Sequence, residues 1–354
     1  YANTAIVGAY KDSDNGLNSG SAYIYRYNGK KWIEEGKLLA SDGAVGDLYG
    51  RAVAITGELA VVGARFNDEL GENAGAAYIY RFSGKQWVEE IKLLASDGAS
   101  LDNFGHAVAL TDDTVIVGAR EGGRFNTGTA YIFRFDGDAW NEVVILTAGD
   151  GSTLDEFGHS VSISGDIVVV GAGGDDDLGP NAGSSYLFRY VGGEWLQTKL
   201  QASDGTSNDT FGLSVSVSGN TAIIGSRSHD GLAANTGSAY IYNFGDIWTV
   251  DDNGAADFNN IQAAISVADD GDEIIVMEGT YTGTGDQVVN MLGKSVWLHS
   301  KDGAASAIID GELSRRCVVC NSGESVDTVI EGFTISHGLP SPSTGFNGGA
   351  MQIV

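Results

Sequence analysis

The chain has few basic residues, few prolines and only two cysteines for its length of 354 residues. Lysine and arginine number 20 against 47 acidic residues, so the formal net charge is -27. Nucleic acids and anionic membrane surfaces attract basic proteins, and this balance therefore argues against both as partners. No apolar run approaches the roughly 20 residues of a membrane-spanning helix. Cys317 and Cys320 are too few to form a disulfide framework.

The sequence also lacks an initiator methionine and a signal peptide, because it begins at Tyr1 inside a repeated unit. We therefore expect a processed form or a fragment of a longer protein, and the length predicts about two domains. Glycine is abundant, and short runs of Val, Ile, Tyr and Phe lie between Gly, Asn and Asp residues. This pattern predicts an all-β protein.

A set of motifs recurs with a period of about 54 residues, which is typical of propellers and solenoids. A pair of small residues, which we call the small pair, ends a run of β-branched residues in each repeat. The small pairs are Gly8-Ala9, Gly63-Ala64, Gly118-Ala119, Gly171-Ala172 and Gly225-Ser226. An aromatic residue followed by glycine, which we call the aromatic pair, begins another strand. The aromatic pairs are Tyr49-Gly50, Phe104-Gly105, Phe157-Gly158 and Phe211-Gly212. Each repeat predicts four antiparallel strands, A to D, exemplified by FGHSVSIS, DIVVVGA, GSSYLFRY and EWLQTKLQAS. Four such strands per repeat indicate the blades of a β-propeller.

The stretch DIVVVGAGGDDDLG, residues 166–179, has the strand and glycines with which a dinucleotide-binding loop begins. Asp176 stands where that loop needs its third glycine, and no helix follows to face a pyrophosphate. We therefore interpret the stretch as strand B of a blade and exclude a nucleotide cofactor. Gly171-Ala172 is then the small pair that lets the strand end against its neighbours.

Residues 1 to about 245 resemble the FG-GAP repeats of bacterial surface proteins, which are related to the propeller of integrin α subunits. The Phe-Gly pairs at 104, 157 and 211 and the Gly-Ala pairs at 118 and 171 carry this resemblance. It implies an extracellular or cell-surface protein. Five B–C hairpins are visible where integrin-type heads use seven blades, so we expect either missing upstream sequence or a five-bladed closure.

The long B–C and D–A loops share one end of the predicted blades, and both are acidic. The D–A loops repeat two aspartates, at Asp42/Asp47, Asp97/Asp102, Asp150/Asp155 and Asp204/Asp209. Six B–C loop aspartates are candidate metal ligands: Asp12, Asp14, Asp68, Asp175, Asp176 and Asp177. Calcium prefers such oxygens, whereas aspartates also close turns by accepting hydrogen bonds from backbone amides. The calcium loop of integrin-type repeats lies between strands A and B, where this chain has only tight turns.

No set of Ser, His and Asp recurs at a catalytic spacing, and we assign no catalytic residue. His106 and His159 follow the aromatic pair where other repeats have Arg51 and Leu213. A position that accepts all three residue types favours packing over a catalytic base.

The period stops near Trp248, so we predict domains at 1–246 and 247–354. DFNNIQAAISVADDGD predicts a helix with Asp257 as N-cap, Gly271 as its stop and Ile261 and Ile265 on its apolar face. Short apolar strands follow, and similar strand sequences recur at a spacing of about one coil, which predicts a parallel β-helix. This segment resembles the N-terminal part of right-handed parallel β-helix proteins of the pectate-lyase-like superfamily, in which carboxylates often hold calcium. Arg315 and Arg316 are expected in an exposed turn, and Cys317 and Cys320 as buried thiols.

These observations favour a non-enzymatic binding or adhesion protein whose loops contact a protein or polysaccharide, with calcium as a candidate cofactor. The alternative is a polysaccharide lyase or hydrolase whose groove lies on β-helix coils beyond residue 354.

Overall fold

The computed structural model describes residues 3–123, 125–231, 233–254 and 256–339, and the backbone of residues 351–353. The chain divides into two compact units, Tyr1–Tyr190 with Trp195–Tyr242 and Val191–Glu194 with Asn243–Val354. The predicted all-β class is confirmed, with a single helix among the described residues.

The first unit consists of five antiparallel sheets whose strands pair in sequence order, as predicted for propeller blades. Blades 1 and 2 are Thr4–Ala9, Ser21–Tyr27 and Trp32–Leu38 (β1–β3), then Ala52–Ile55, Leu59–Ala64, Ala76–Phe82 and Trp87–Leu93 (β4–β7). Blade 3 is Phe104–Leu110, Thr114–Ala119, Thr129–Phe135 and Trp140–Leu146 (β8–β11). Blade 4 is Phe157–Ser164, Ile167–Ala172, Ser184–Val191 and Glu194–Leu200 (β12–β15). Blade 5 is Phe211–Ser218, Thr221–Ser226 and Ser238–Asn243 (β16–β18).

The blades pack face to face, which explains why their middle strands read as continuous apolar runs. Every residue of β5 and β9 is buried, because each face of these strands meets another blade. Val61 of blade 2 shares one apolar cluster with Val117 and Tyr131 of blade 3. Burying one such side chain contributes about 1.5–3 kcal/mol. The first strands of consecutive blades, β4, β8, β12 and β16, contact one another and line the inner side of the array.

Both glycines of the repeated motif are required where consecutive blades touch. A Cβ placed on Gly63, in the small pair of blade 2, would overlap the carbonyl oxygen of Gly105, in the aromatic pair of blade 3. Gly171 meets Gly212 in the same way, and Gly105 has a φ of 87°. Two backbones therefore approach without a side chain between them. This confirms the interpretation of Gly171-Ala172 as a pair that lets its strand end against the next blade.

The second unit is a parallel β-solenoid of about three coils, as the strand spacing predicts. Its strands are Ile247–Val250, Glu273–Val276, Gly279–Tyr281, Gln287–Asn290, Trp297–Ser300, Ala307–Asp310, Arg316–Cys320, Val329–Glu331, Thr334–Ser336 and Met351–Ile353 (β19–β28). They form three parallel sheets, ordered β19-β20-β23-β26, β21-β24-β27 and β22-β25-β28. Cys317 and Cys320 of β25 are buried free thiols, as predicted.

The helix α1, Ile261–Val267, packs its apolar residues into the solenoid core, but its ends differ from the prediction. Asn260 is the N-cap, because its side chain accepts a hydrogen bond from Ala263 N. Asp257 instead accepts hydrogen bonds from the amide and hydroxyl of Thr249. The helix also ends before Gly271, with Ala268 as its C-cap. Asp and Asn cap helices about equally well, so the sequence alone could not choose between positions 257 and 260.

Arg316 is buried, which corrects the expectation that both arginines lie in an exposed turn. Arg316 begins β25, and its position within a strand between the coils withdraws it from solvent. Arg315 forms an ion pair with Glu312 at 2.7 Å.

Candidate functional site

The B–C and D–A loops lie together at one end of the blades, and we call this surface the loop face. Each D–A loop donates a backbone hydrogen bond to the B–C loop of the blade that it leaves. Leu101 N donates to Glu72 O at 2.8 Å, and Leu154 N donates to Asn126 O at 3.1 Å. The loops therefore support one another and form one surface.

The second aspartate of each D–A loop closes a turn. The carboxylates of Asp47, Asp102, Asp155 and Asp209 accept hydrogen bonds from the backbone amides of Ala44, Ala99, Ser152 and Thr206. All four aspartates are buried, and burial raises the pKa of Asp47, Asp102 and Asp155 above its usual value. These residues have the structural role that aspartate commonly has in turns.

The first aspartate of each D–A loop ties the loop to the next blade. Asp42, Asp97, Asp150 and Asp204 accept hydrogen bonds from the hydroxyls of Tyr78, Tyr131, Tyr186 and Tyr240, at 2.6–2.8 Å. Burial raises the pKa of all four tyrosines above its usual value, and the aspartates raise it further. The regular spacing of these aspartates therefore follows from the stacking of the blades.

Four of the six candidate metal ligands form two pairs, and each pair binds the ammonium group of one lysine. Lys37 of β3 forms ion pairs with Asp12, at 2.7 Å, and with Asp14. Lys199 of β15 binds Asp175 at 2.8 Å and Asp177 at 2.5 Å, and it also reaches Asp150 of the preceding D–A loop at 2.7 Å. The lysine holds the pKa of Asp12 well below its usual range. An internal ammonium therefore lies where a bound cation would lie.

The other two candidates, Asp68 and Asp176, close their own loops. Asp68 accepts a hydrogen bond from Asn73 N and Asp176 accepts one from Asn181 N, each at 2.7 Å. Within the described residues, no three His, Cys, Asp or Glu side chains form a group that could hold a metal ion. Calcium binding by the six aspartates stays a prediction. At Asp12, Asp14, Asp175 and Asp177 it requires Lys37 or Lys199 to release the carboxylates.

The lysines were missed in the sequence, although the repeats contain a signal for them. Lys37, Lys92 and Lys199 each precede a buried leucine of strand D, and Lys92 pairs with Asp42 and Glu69. Blade 3 has Ile145 at this position, and its B–C loop has Gly122 where blades 1 and 4 have Asp12 and Asp175. In blades 1, 2 and 4 the lysine therefore occurs together with an acidic side chain of its own B–C loop.

The tips of the loop face expose large apolar side chains, which the sequence reading also missed. They belong to both sets of loops and are Leu17, Val45, Leu70, Leu101, Phe125, Leu154 and Leu178. Phe125 and Leu154 are 65% and 60% exposed, and Leu154 bonds to the residue beside Phe125. The loop face therefore combines apolar tips with an acidic surround.

Two of these leucines have a backbone conformation that disfavours leucine. Leu101 and Leu154 have φ values of 74° and 70°, in the left-handed region. The equivalent D–A positions are Gly46 and Asn208, whose residue types accept this conformation more readily. Leucine there costs about 1–2 kcal/mol. The turn itself does not need leucine, because glycine and asparagine form it at the equivalent positions.

His106 and His159 lie near the inner end of the loop face and pack against each other. Their ring centroids are 4.9 Å apart, and His106 is buried. His106 Nδ1 lies 3.2 Å from Arg65 Nη1, and His159 Nδ1 lies 3.1 Å from Glu156.

The stacked blades and their loop face define a propeller-type repeat protein. A comparison with protein-family profiles matches the FG-GAP repeat at residues 1–25, 32–80, 87–133, 140–188 and 195–242. These segments make up more than half of the chain, which therefore belongs to the FG-GAP repeat family. A search of curated proteins finds no match. Among the described residues, no helix has the length and apolarity needed to cross a membrane.

Proposed function

We propose that the protein is a non-enzymatic binding or adhesion module of the extracellular space or the cell surface, and that its loop face binds a protein partner. The observation that carries this proposal is the exposure of Leu101 and Leu154 in a backbone conformation that disfavours leucine. Residues held in such conformations cluster at ligand-binding sites. Partner binding gives these side chains a role that the turn does not.

The chemistry of the loop tips fits a protein surface. Contiguous exposed apolar groups with a polar surround are typical of protein interfaces, where a few anchors supply most of the binding energy. Leu101, Phe125 and Leu154 supply such anchors on the two sides of blade 3. The D–A and B–C loops that carry them are bonded to each other, so little conformational entropy is lost on binding.

The family supports the proposed location, because FG-GAP repeats are typical of extracellular and cell-surface proteins. We propose that the β-solenoid is related to the pectate-lyase-like superfamily and acts as a stalk or second binding module.

Calcium assistance at the B–C loops is part of the proposal. Calorimetric titration with calcium tests it, because the heat signal should weaken in Asp175→Ala and Asp177→Ala, and an absent signal in the unmodified chain would contradict it.

The loop-face proposal is tested with a variant carrying Leu101→Asn and Leu154→Asn, which copies Asn208. The probes are purified collagen, fibrinogen, alginate and polygalacturonate, each titrated over the immobilised full chain. We expect binding to a protein probe that the double variant weakens at least about tenfold, as for loss of interface anchors. Asparagine is compatible with the local φ, so the variant should remain folded.

The matched control is Val88→Asn, which replaces an exposed apolar side chain on the outer strand β7. It should leave binding unchanged. Release of oligosaccharide products from alginate or polygalacturonate would instead support the enzyme alternative. Equal binding by the double variant and the unmodified chain would show that the leucines are not the anchors.

A further inference from the structure

Two positions in each repeat vary while their neighbours keep the motif, and these positions meet across the blade interfaces. One follows the small pair and the other follows the aromatic pair of the next blade. The successive pairs are Tyr10 with Arg51, Arg65 with His106, Arg120 with His159, and Gly173 with Leu213. The Arg51 guanidinium lies 5.5 Å from the Tyr10 ring centroid, and a Cβ on Gly173 would lie 2.6 Å from Leu213 Cδ2.

Basic residues fill three of these four interfaces. We name Arg51, Arg65, His106, Arg120 and His159 the inner basic cluster. His106 and His159 lie in β-bulges of β8 and β12, where the pairing skips from the aromatic residue to the third residue beyond it. β16 has the same bulge at Leu213, so the bulge belongs to the repeat and gives the side chain at this position the same place in each blade. The cluster lies at the inner end of the loop face, where the first strands of the blades converge.

The cluster contains more cations than its surroundings neutralise. Arg120 pairs with Glu121 at 2.8 Å and lies 3.6 Å from Glu156, which also contacts His159. Among the described residues, no carboxylate lies within ion-pair distance of Arg51 or Arg65. Burial and the neighbouring Arg51 and Arg120 lower the pKa of Arg65 to about 10. Burial, His159 and the three arginines lower the pKa of His106 to about 2.

Hydrogen-bond donors also exceed acceptors in the cluster. The Nε atoms of Arg65 and Arg120 are buried without a hydrogen-bond partner among the described residues. Arginine can only donate, so neutral His106 accepts from Arg65 Nη1 through Nδ1 and has its proton on Nε2. His106 therefore presents another donor beside the arginines.

The fold does not require these basic groups. The interface between blades 4 and 5 has Gly173 and Leu213 at the same two positions, yet its motif glycines Gly171 and Gly212 meet as in the other interfaces. Repulsion and desolvation at the cluster therefore destabilise the folded chain without serving the scaffold. A bound anion would offset both effects.

We propose that the inner basic cluster binds a single oxyanion, a carboxylate or sulfate group, presented by the partner that docks on the loop face. Arginine suits this chemistry because its planar fork donates two parallel hydrogen bonds to such groups. The surrounding loops are acidic and the chain carries a net charge of -27, so they repel an extended polyanion and admit one anionic group. The part of this inference that concerns the partner rests on the proposed function. Binding of a free anion to the cluster can be measured without any partner.

The test titrates the full chain with sodium sulfate and, separately, with sodium glucuronate at constant ionic strength. The resonances of the His106 and His159 rings report binding. We expect saturable shifts with at least one probe, and the probe that binds distinguishes sulfate from carboxylate recognition. Arg65→Gln should weaken binding at least about tenfold, as for loss of a charge-assisted hydrogen bond. Arg81→Gln is the matched control, because Arg81 pairs with Glu90 on an outer part of blade 2, and it should leave binding unchanged.

A second variant separates binding from a purely structural role. The double variant Arg65→Gly, His106→Leu copies the Gly173 and Leu213 interface. In chloride, we expect the Tm of this variant to equal or exceed that of the unmodified chain. The binding anion should raise the Tm of the unmodified chain further, and the variant should lose this additional increase. A lowered Tm in chloride, or unsaturable histidine shifts that Arg65→Gln leaves unchanged, would overturn the proposal. Both measurements omit any protein partner, so their failure is distinct from failure of loop-face binding.

Discussion

Single lysines on the outer strands hold the acidic loops in place. Lys199 joins three carboxylates from two loops, and one of them, Asp175, is buried. The same lysine connects blade 4 to the D–A loop that leaves blade 3. Carboxylates that would repel one another are thus brought together by a single residue of the neighbouring strand.

Replacing Lys199 by methionine should destabilise the chain by about 1–3 kcal/mol, because the buried carboxylate of Asp175 would lose its charged partner. Methionine retains most of the side-chain volume, so packing changes little. Urea denaturation measures the change in free energy of unfolding. Lys85→Met is the matched control, since Lys85 is exposed in the C–D turn of blade 2, and its effect should be close to zero. Equal effects of the two substitutions would contradict the role of Lys199.

At the scale of the elements, the glycines decide how closely two blades approach. Gly63→Ala should destabilise the chain by about 3 kcal/mol or more, because the new methyl group would overlap the backbone of Gly105, which cannot move without separating the blades. Urea denaturation again gives the free energy of unfolding. Gly36→Ala in β3 is the control, since its nearest new contact is an ordinary 3.8 Å to Trp87. A destabilisation by Gly63→Ala as small as that by Gly36→Ala would show that the interface has room for a side chain.

Strands and blades could be predicted from the sequence because packing on both faces leaves a strong apolar pattern in every repeat. Gly171-Ala172 could be placed because its sister pairs end the same strand. The pairing of Lys92 with Asp42 and of Lys199 with Asp150 could not be predicted from motif spacing, since each aspartate belongs to the D–A loop of the preceding blade and meets the lysine only when the blades stack. The inner basic cluster was missed for the same reason, because Arg65 and His106 are distant in sequence and adjacent across an interface. The prediction of Asp257 as the N-cap of α1 was wrong, because Asn260 suits that position equally well and is the residue that caps the helix.

Over the whole molecule, charge is distributed unevenly, because a strongly acidic chain contains a small basic cluster. The net charge of -27 opposes compaction, because like charges repel more strongly in the folded chain than in the expanded one. The ion pairs of Lys37, Lys92 and Lys199 act in the opposite direction. They are partly withdrawn from solvent, and salt screens such pairs less than it screens exposed charges.

Sodium chloride should therefore stabilise the protein. Raising its concentration from about 0.01 M to about 1 M shortens the screening length from about 30 Å to about 3 Å, which removes most long-range repulsion but leaves the ion pairs in contact. We expect the Tm of the chain to rise continuously over this range. A falling Tm would mean that the lysine pairs outweigh the repulsion. In Lys199→Met the rise should be at least as large as in the unmodified chain, because this variant is more acidic and has lost an ion pair that salt could weaken.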